Sequence, residues 1–186
     1  MLGNITGELG ASASIDTTQK GEVGLAFRNS YHFEAFDSNG NLKWEETINN
    51  IVVNVGLDDV LNKYYKGSAY TAAHYVGLVS GTPTVAATDT MSSHVGWTEI
   101  VAYSEAARQT LVLGAVASQS VDNSASKASF SINGTATVGG GFVATDATKS
   151  GTTGILVGAA AFTGGNKSLT SGDTINVTIT LTAATV

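Results

Sequence analysis

Three histidines, His32, His74 and His94, are the chain's only imidazoles, and no two stand at a spacing that a zinc site uses. Strand-like runs surround His32 and His74, which predicts ordinary strand histidines, whereas His94 sits in a loop ahead of Trp97. A nucleophilic triad can be written from Ser93, His94 and Asp89, but no G-x-S-x-G elbow accompanies it, and nearness in sequence is not geometry. Glu45-Glu46 and Asp58-Asp59 are adjacent carboxylates. Neighbours on a strand face opposite ways and neighbours on a helix diverge by about 100°, so neither pair converges on one substrate atom. Lys149-Ser150 and Lys167-Ser168 end like a phosphate loop, but Thr148 and Asn166 stand where such a loop needs glycine to wrap its backbone around an anion. Gly139-Gly140-Gly141 lacks the dinucleotide-binding frame and predicts a bend, a bulge or a close backbone approach. Four N-x-S/T triplets, at Asn4, Asn133, Asn166 and Asn176, are what an Asn- and Thr-rich chain yields by chance. The expectation is therefore a protein without catalytic residues, metal ligands or cofactor.

Composition agrees with a binding role. The 186 residues fit one domain, 42% hydrophobic and only 13% charged, with 22 glycines and a single proline, Pro83. Solubility must then rest on Thr, Ser, Asn and Gly, and turns on glycine's freedom at positive φ. The net charge is −6, and the nine Lys and Arg are scattered singly, which argues against nucleic acid as a direct partner. The absence of cysteine removes disulfides and thiolate chemistry. Residues 1–10 carry no secretory pattern, and no apolar run approaches a membrane span. A soluble protein made in a cytoplasm, with no membrane partner, is expected.

The elements that would position any surface are mostly strands. Residues 1–27, small and polar at first, predict an extended N-terminal arm ahead of a domain over residues 28–186. The aromatic run 31–36, the Asn39-Gly40 pair and the run 42–48 predict a hairpin, with Leu42, Trp44, Glu46 and Ile48 on one face. Leu57, Val60, Leu61 and Tyr64 recur at helical spacing, predicting a helix over residues 56–66 with one apolar stripe, an Asp59–Lys63 pair and a stop at Gly67. Strand patterns follow at 74–79, 98–103, 110–116, 127–132, 142–145, 155–162 and 174–182, with residues 82–91 as a loop. The last is the clearest: Ile175, Val177, Ile179 and Leu181 alternate with Thr and Asn, and burying the four is worth roughly 6–10 kcal/mol before entropy. Such strands need a covering layer, and their number predicts an all-β fold with one short helix, a β-sandwich or jelly roll.

One family resemblance joins these runs. The stretch from Trp44 to Leu61, the "YVGL" strand at Tyr75-Val76-Gly77-Leu78, and the passage Asp89-Thr90-Met91 through His94 and Gly96-Trp97-Thr98-Glu99 to Tyr103 resemble tailed-bacteriophage virion structural proteins. So do Ser104 to Arg108, Ser124 to Phe130 and Ser171 to Val177, and the likeness spans residue 33 to the C-terminus. It implies a virion component of the capsid decoration (cement) type, or else a tail or baseplate part, and it implies no catalytic residues.

A decoration protein would bind the outer shell between major capsid protein subunits and other copies of itself, as a trimer or dimer. The expected protein-interface residues are Leu2, Ile5, Leu9, Ile15, Val23, Leu25 and Phe27 in the arm and His94 and Trp97 in the loop. Leu25, Phe27 and Trp97 could equally complete the core. A glycan- or receptor-binding β-module, using Trp97 as a stacking platform, is the alternative from another class.

Overall fold

The computed structural model describes residues 25–70 and 73–185. Two antiparallel sheets pack into an all-β, sandwich-like fold. With strands labelled in chain order, the first sheet runs β2 (Leu42–Asn49), β1 (Leu25–Phe36), β12 (Thr174–Thr185), β7 (Ser120–Asp122), and β8 (Ala128–Ser131) also pairs with β12. The second runs β3 (Ile51–Val52), β10 (Leu156–Ala161), β9 (Ala136–Ala144), β4 (Tyr75–Ser80), β5 (Thr98–Ile100). In this second sheet β11 (Lys167–Leu169) adds to β9 and β6 (Gln109–Thr110) to β4. Strands β1 and β12 pair from Leu25↔Thr185 to Phe36↔Thr174 and form the longest ribbon. Leu25 to Phe27, expected in the arm, are ladder-paired in β1, and the rest of the expected arm lies outside the described residues.

The expected hairpin joins β1 and β2. Gly40 takes φ +82°, and Asp37 folds its carboxylate back to accept from the Asn39 and Asn41 amides at 2.8 and 2.9 Å. On β2, Ile48 is buried, while Glu46 reaches over to accept from the Thr163 and Gly164 amides, both at 2.8 Å. The main core lies between the sheets. Tyr31, Phe33 and Ala35 from β1 and Ile175, Val177 and Ile179 from β12 meet Val76 and Leu78 from β4 and Val138 and Val143 from β9.

A second core lies on the outer face of the second sheet. There Val79, Phe142, Ala144 and Ala159, the neighbours of inward-facing residues, are covered by Val53, Met91 and Trp97. Burial on both faces explains the near-continuous apolar runs of β4 and β9. It also explains the three glycines at 139–141, which lie within β9, where the ladder with β4 passes from Gly140 to Val138 and skips Gly139 as a bulge. A Cβ on them would strike the Gly81 carbonyl, the Ala160 carbonyl and the Phe33 ring, so the bulge and the close approach are both realised.

The 110–116 run departs from expectation. Only Gln109–Thr110 is strand; the chain then leaves the sheet, burying Leu111 and exposing Val112 and Leu113. The helix departs as well. It runs over Asn54–Val60 and continues as a π-helical turn over Leu61–Tyr65, ending at Gly67 with φ +69°. Gly56 sits against the backbone of Val157, where a Cβ would clash with the carbonyl at 2.5 Å. The helix therefore packs on β10 through Gly56, and the stripe of Leu57, Leu61 and Tyr64 faces outward, 37%, 53% and 81% exposed.

Candidate docking site at one pole of the sandwich

The inward-facing row of β1 does not stop where the core stops. Period-2 alternation carries it back from Tyr31 through Asn29 to Phe27 and Leu25, and on β12 from Ile179 to Leu181 and Ala183. Strand β2 pairs only with Ser30 to Phe36, so at this end β1 outruns its outer neighbour, while β7 still flanks β12 at Thr180 to Thr182. What faces it is a groove of about 460 Å³. Phe27, Leu181 and Ala183 form one wall. Helix α1 (Asn54–Val60) gives Gly56 and Val60, and the 111–121 segment gives Leu113, Val116 and Val121.

Few polar groups reach it. His74 is the one imidazole in the lining. Burial, with the nearby Lys63 ammonium, holds it below its ordinary pKa of 6.5 against an opposing pull from Asp59. Lys63 itself donates to Asp59 at 2.8 Å, the pair expected one helical turn apart. Gln119 and Ser120 close the far rim, on a two-residue hairpin in which Ser118 and Gln119 hold φ of 48° and 58°. On the helix side Tyr70 joins the lining, and Leu57, Leu61, Tyr64 and Tyr65 stand exposed along the helix that supplies Gly56 and Val60, the rings of Tyr64 and Tyr65 packed edge to face at 5.0 Å. Large apolar side chains gathered at one pole, beside a groove lined by the same chemistry, form a surface suited to another protein.

Of the residues the sequence singled out, Leu25 and Phe27 lie at this pole, 53% and 36% exposed. Leu2, Ile5, Leu9, Ile15 and Val23 lie outside the described residues. Trp97 completes a core, one of the two readings expected of it: it is 5% exposed, packs on Phe142 at 5.3 Å and carries His94 stacked on it at 3.7 Å. A glycan would find that ring face already covered. His94 is half-buried by the same stacking, with Nδ1 3.2 Å from the Trp97 carbonyl. Asp89 accepts from Trp97 Nε1 at 3.4 Å and from the Ala86 amide at 3.1 Å, so Ser93, His94 and Asp89 make no proton relay.

Beneath Trp97 lies a pin that sequence reasoning passed over. The Arg108 guanidinium is wholly buried and grips Glu99 through Nε and one terminal nitrogen, at 3.0 and 2.7 Å. Two further donors reach the Asp146 and Gly151 carbonyls, both at 2.9 Å, and it lies 5.0 Å from the Phe142 ring centre. With four of its five N–H donors engaged, it ties strand β5 to the 146–151 loop. Of the near-miss phosphate loops, Lys149-Ser150 is a turn, whereas Lys167-Ser168 opens strand β11. Lys149 donates to the Tyr103 carbonyl at 2.7 Å and lies over that ring, and Lys167 pairs with Glu46 at 3.3 Å. Among the described residues no three His, Asp or Glu side chains gather as a metal site would require, and no helix is long and apolar enough to cross a membrane.

No protein-family model matches the chain, and no curated protein matches it.

Proposed function

We propose that this protein is a structural component of a tailed-bacteriophage virion, a capsid decoration protein that binds the outer shell between major capsid protein subunits and stabilises it. The observation that carries the reading is the apolar pole. Leu61, Tyr64, Tyr65 and Tyr70 are 53%, 81%, 65% and 79% exposed, whereas the other aromatic rings, Phe27 apart, are buried or partly covered. Rigid aromatics at such density are the anchors from which protein interfaces draw most of their energy. The likeness of residues 33–186 to virion proteins supplies the class of partner. A protein that binds only the assembled shell stabilises it by mass action, and repetition over a shell makes weak contacts sufficient.

A tail or baseplate part would use the same pole on a different partner. The deciding experiment mixes purified protein with empty capsids and measures co-sedimentation. Binding is expected, and Leu61→Asp with Tyr64→Ser should weaken it by roughly 10-fold or more, as the loss of an aromatic anchor does. Because both side chains are exposed, circular dichroism should be unchanged. Equal binding by the variant overturns the pole as the docking surface. No binding by either protein, with density only on the tail in electron micrographs of the virion, overturns the decoration role.

A further inference from the structure

We propose that the groove binds an uncharged small molecule, apolar over most of its surface and carrying one hydroxyl or N–H group that meets the side-chain amide of Asn29. Leu61, Tyr64 and Tyr65 take no part in its lining, so this site stands or falls independently of the decoration reading.

Asn29 is the odd member of its row. Phe27, Tyr31, Phe33 and Ala35 share its strand face, and the ladder sets Leu181 opposite it. It is 7% exposed, lines the groove, and keeps its amide atoms in reach of the groove's space. Its backbone carbonyl accepts from the Asn50 amide, but among the described residues no hydrogen bond engages its side chain. The other deeply buried asparagine, Asn123, has both ends of its amide engaged by β12. A buried amide left unpaired by its own protein is costly, and a partner from outside relieves it.

The rest of the lining says what that partner is. No Lys, Arg, Asp or Glu side chain faces the groove, so an ionised head buried there would lack a counter-charge. His74 is held neutral near pH 7 by burial and by Lys63, and it offers one donor and one acceptor without charge. A space of about 460 Å³ lies within the range of small-molecule pockets and takes roughly a dozen methylene-sized groups, each close to a water's share of about 30 Å³. Water alone would satisfy Asn29 but find few partners along Val116, Val157 and Leu181. A ligand with one polar group on an apolar body satisfies the amide and releases that water.

The probe is N-phenyl-α-naphthylamine, an uncharged fluorophore with one N–H whose emission rises in apolar surroundings. Titrated into the full-length protein, it should saturate at one site per chain. Ala183→Phe, which fills the groove from the β12 wall, should weaken it by about 10-fold or more. Two competitors then read the amide. The hydroxyl of para-butylphenol should make it displace the probe about 5- to 10-fold better than butylbenzene, the margin one neutral hydrogen bond gives. In Asn29→Leu that margin should vanish while butylbenzene still competes, and a leucine in this apolar row should leave the melting temperature at or above the parent's. The anion para-butylbenzoate should compete about 10-fold or more weakly than para-butylphenol at pH 7. Equal displacement by butylphenol and butylbenzene in the parent would overturn the proposal whatever the variants do. So would probe fluorescence that never saturates, binding untouched by Ala183→Phe, a margin that survives in Asn29→Leu, or a preference for the anion.

Discussion

Asn123 shows how much a single side chain holds in this fold. Strand β12 pairs with β7 at Thr180 to Thr182 and with β8 at Thr174 to Val177, leaving a gap between the two partners. The buried Asn123 amide fills it, accepting from the Ile179 amide at 2.6 Å and donating to the Val177 carbonyl at 3.1 Å, as a strand backbone would. Asn123→Ala leaves both backbone groups unpaired in the interior and should cost about 2–4 kcal/mol, read as a lower denaturant midpoint at unchanged slope. Asn123→Asp keeps the acceptor but loses the donor, so it should also destabilise. Nothing in the local sequence announces this role, because Asn before Ser reads as a turn and the two groups it serves lie 54 and 56 residues away. Trp97 taught a similar lesson. A tryptophan in a polar loop reads equally as interface or core until the second sheet is seen to need a cover on its outer face.

At the scale of elements, legibility followed how local the cause was. Strand β12 was plain because alternation alone dictates which face is buried, and Ile175, Val177 and Ile179 are fully buried. The hairpin at Asn39-Gly40 was plain because its turn chemistry is local. Helix α1 was legible but its buried face was not: periodicity counts apolar side chains, whereas the contact with β10 is made by the residue with no side chain, Gly56. Strands β7 and β11, three residues each, carry too little pattern to see. The turn at Ser118-Gln119 was invisible for the opposite reason. Ala117 and Ser120 exchange both backbone hydrogen bonds at 2.9 Å, a two-residue hairpin that asks for positive φ at both central positions, yet neither is Gly or Asn. Left-handed backbone costs such residues about 1–2 kcal/mol each. Ser118→Asn with Gln119→Gly should therefore stabilise the protein by about 1 kcal/mol, a rise in melting temperature of about 2–4 °C for a chain this size.

For the molecule as a whole, acid should act in two stages. His74 is held below its ordinary pKa of 6.5 in the folded state, so the unfolded chain binds a proton more readily. Stability from this group is full above that value and is lost as pH falls from it toward the lower folded value. Burial raises the pKa of Asp173, but the Lys43 ammonium at 2.6 Å and the Thr170 amide outweigh it, and the net shift is downward. Asp146, held down first by the Thr148 amide and then by Thr153, behaves alike, and both act only below the usual carboxylate range near 3.8. Melting temperature against pH should thus decline first through the histidine range and again in strong acid. His74→Gln should flatten the first decline and leave the second; an unchanged first decline would assign it elsewhere. The ribbon of β1 and β12 has one more effect at this scale. Because Leu25 lies opposite Thr185, the polypeptide comes into the sandwich and leaves it side by side. A passenger peptide spliced ahead of the first or behind the last would hang from the same corner of the particle, and a short bridge between the two would allow the strand order to be reopened at a distant turn.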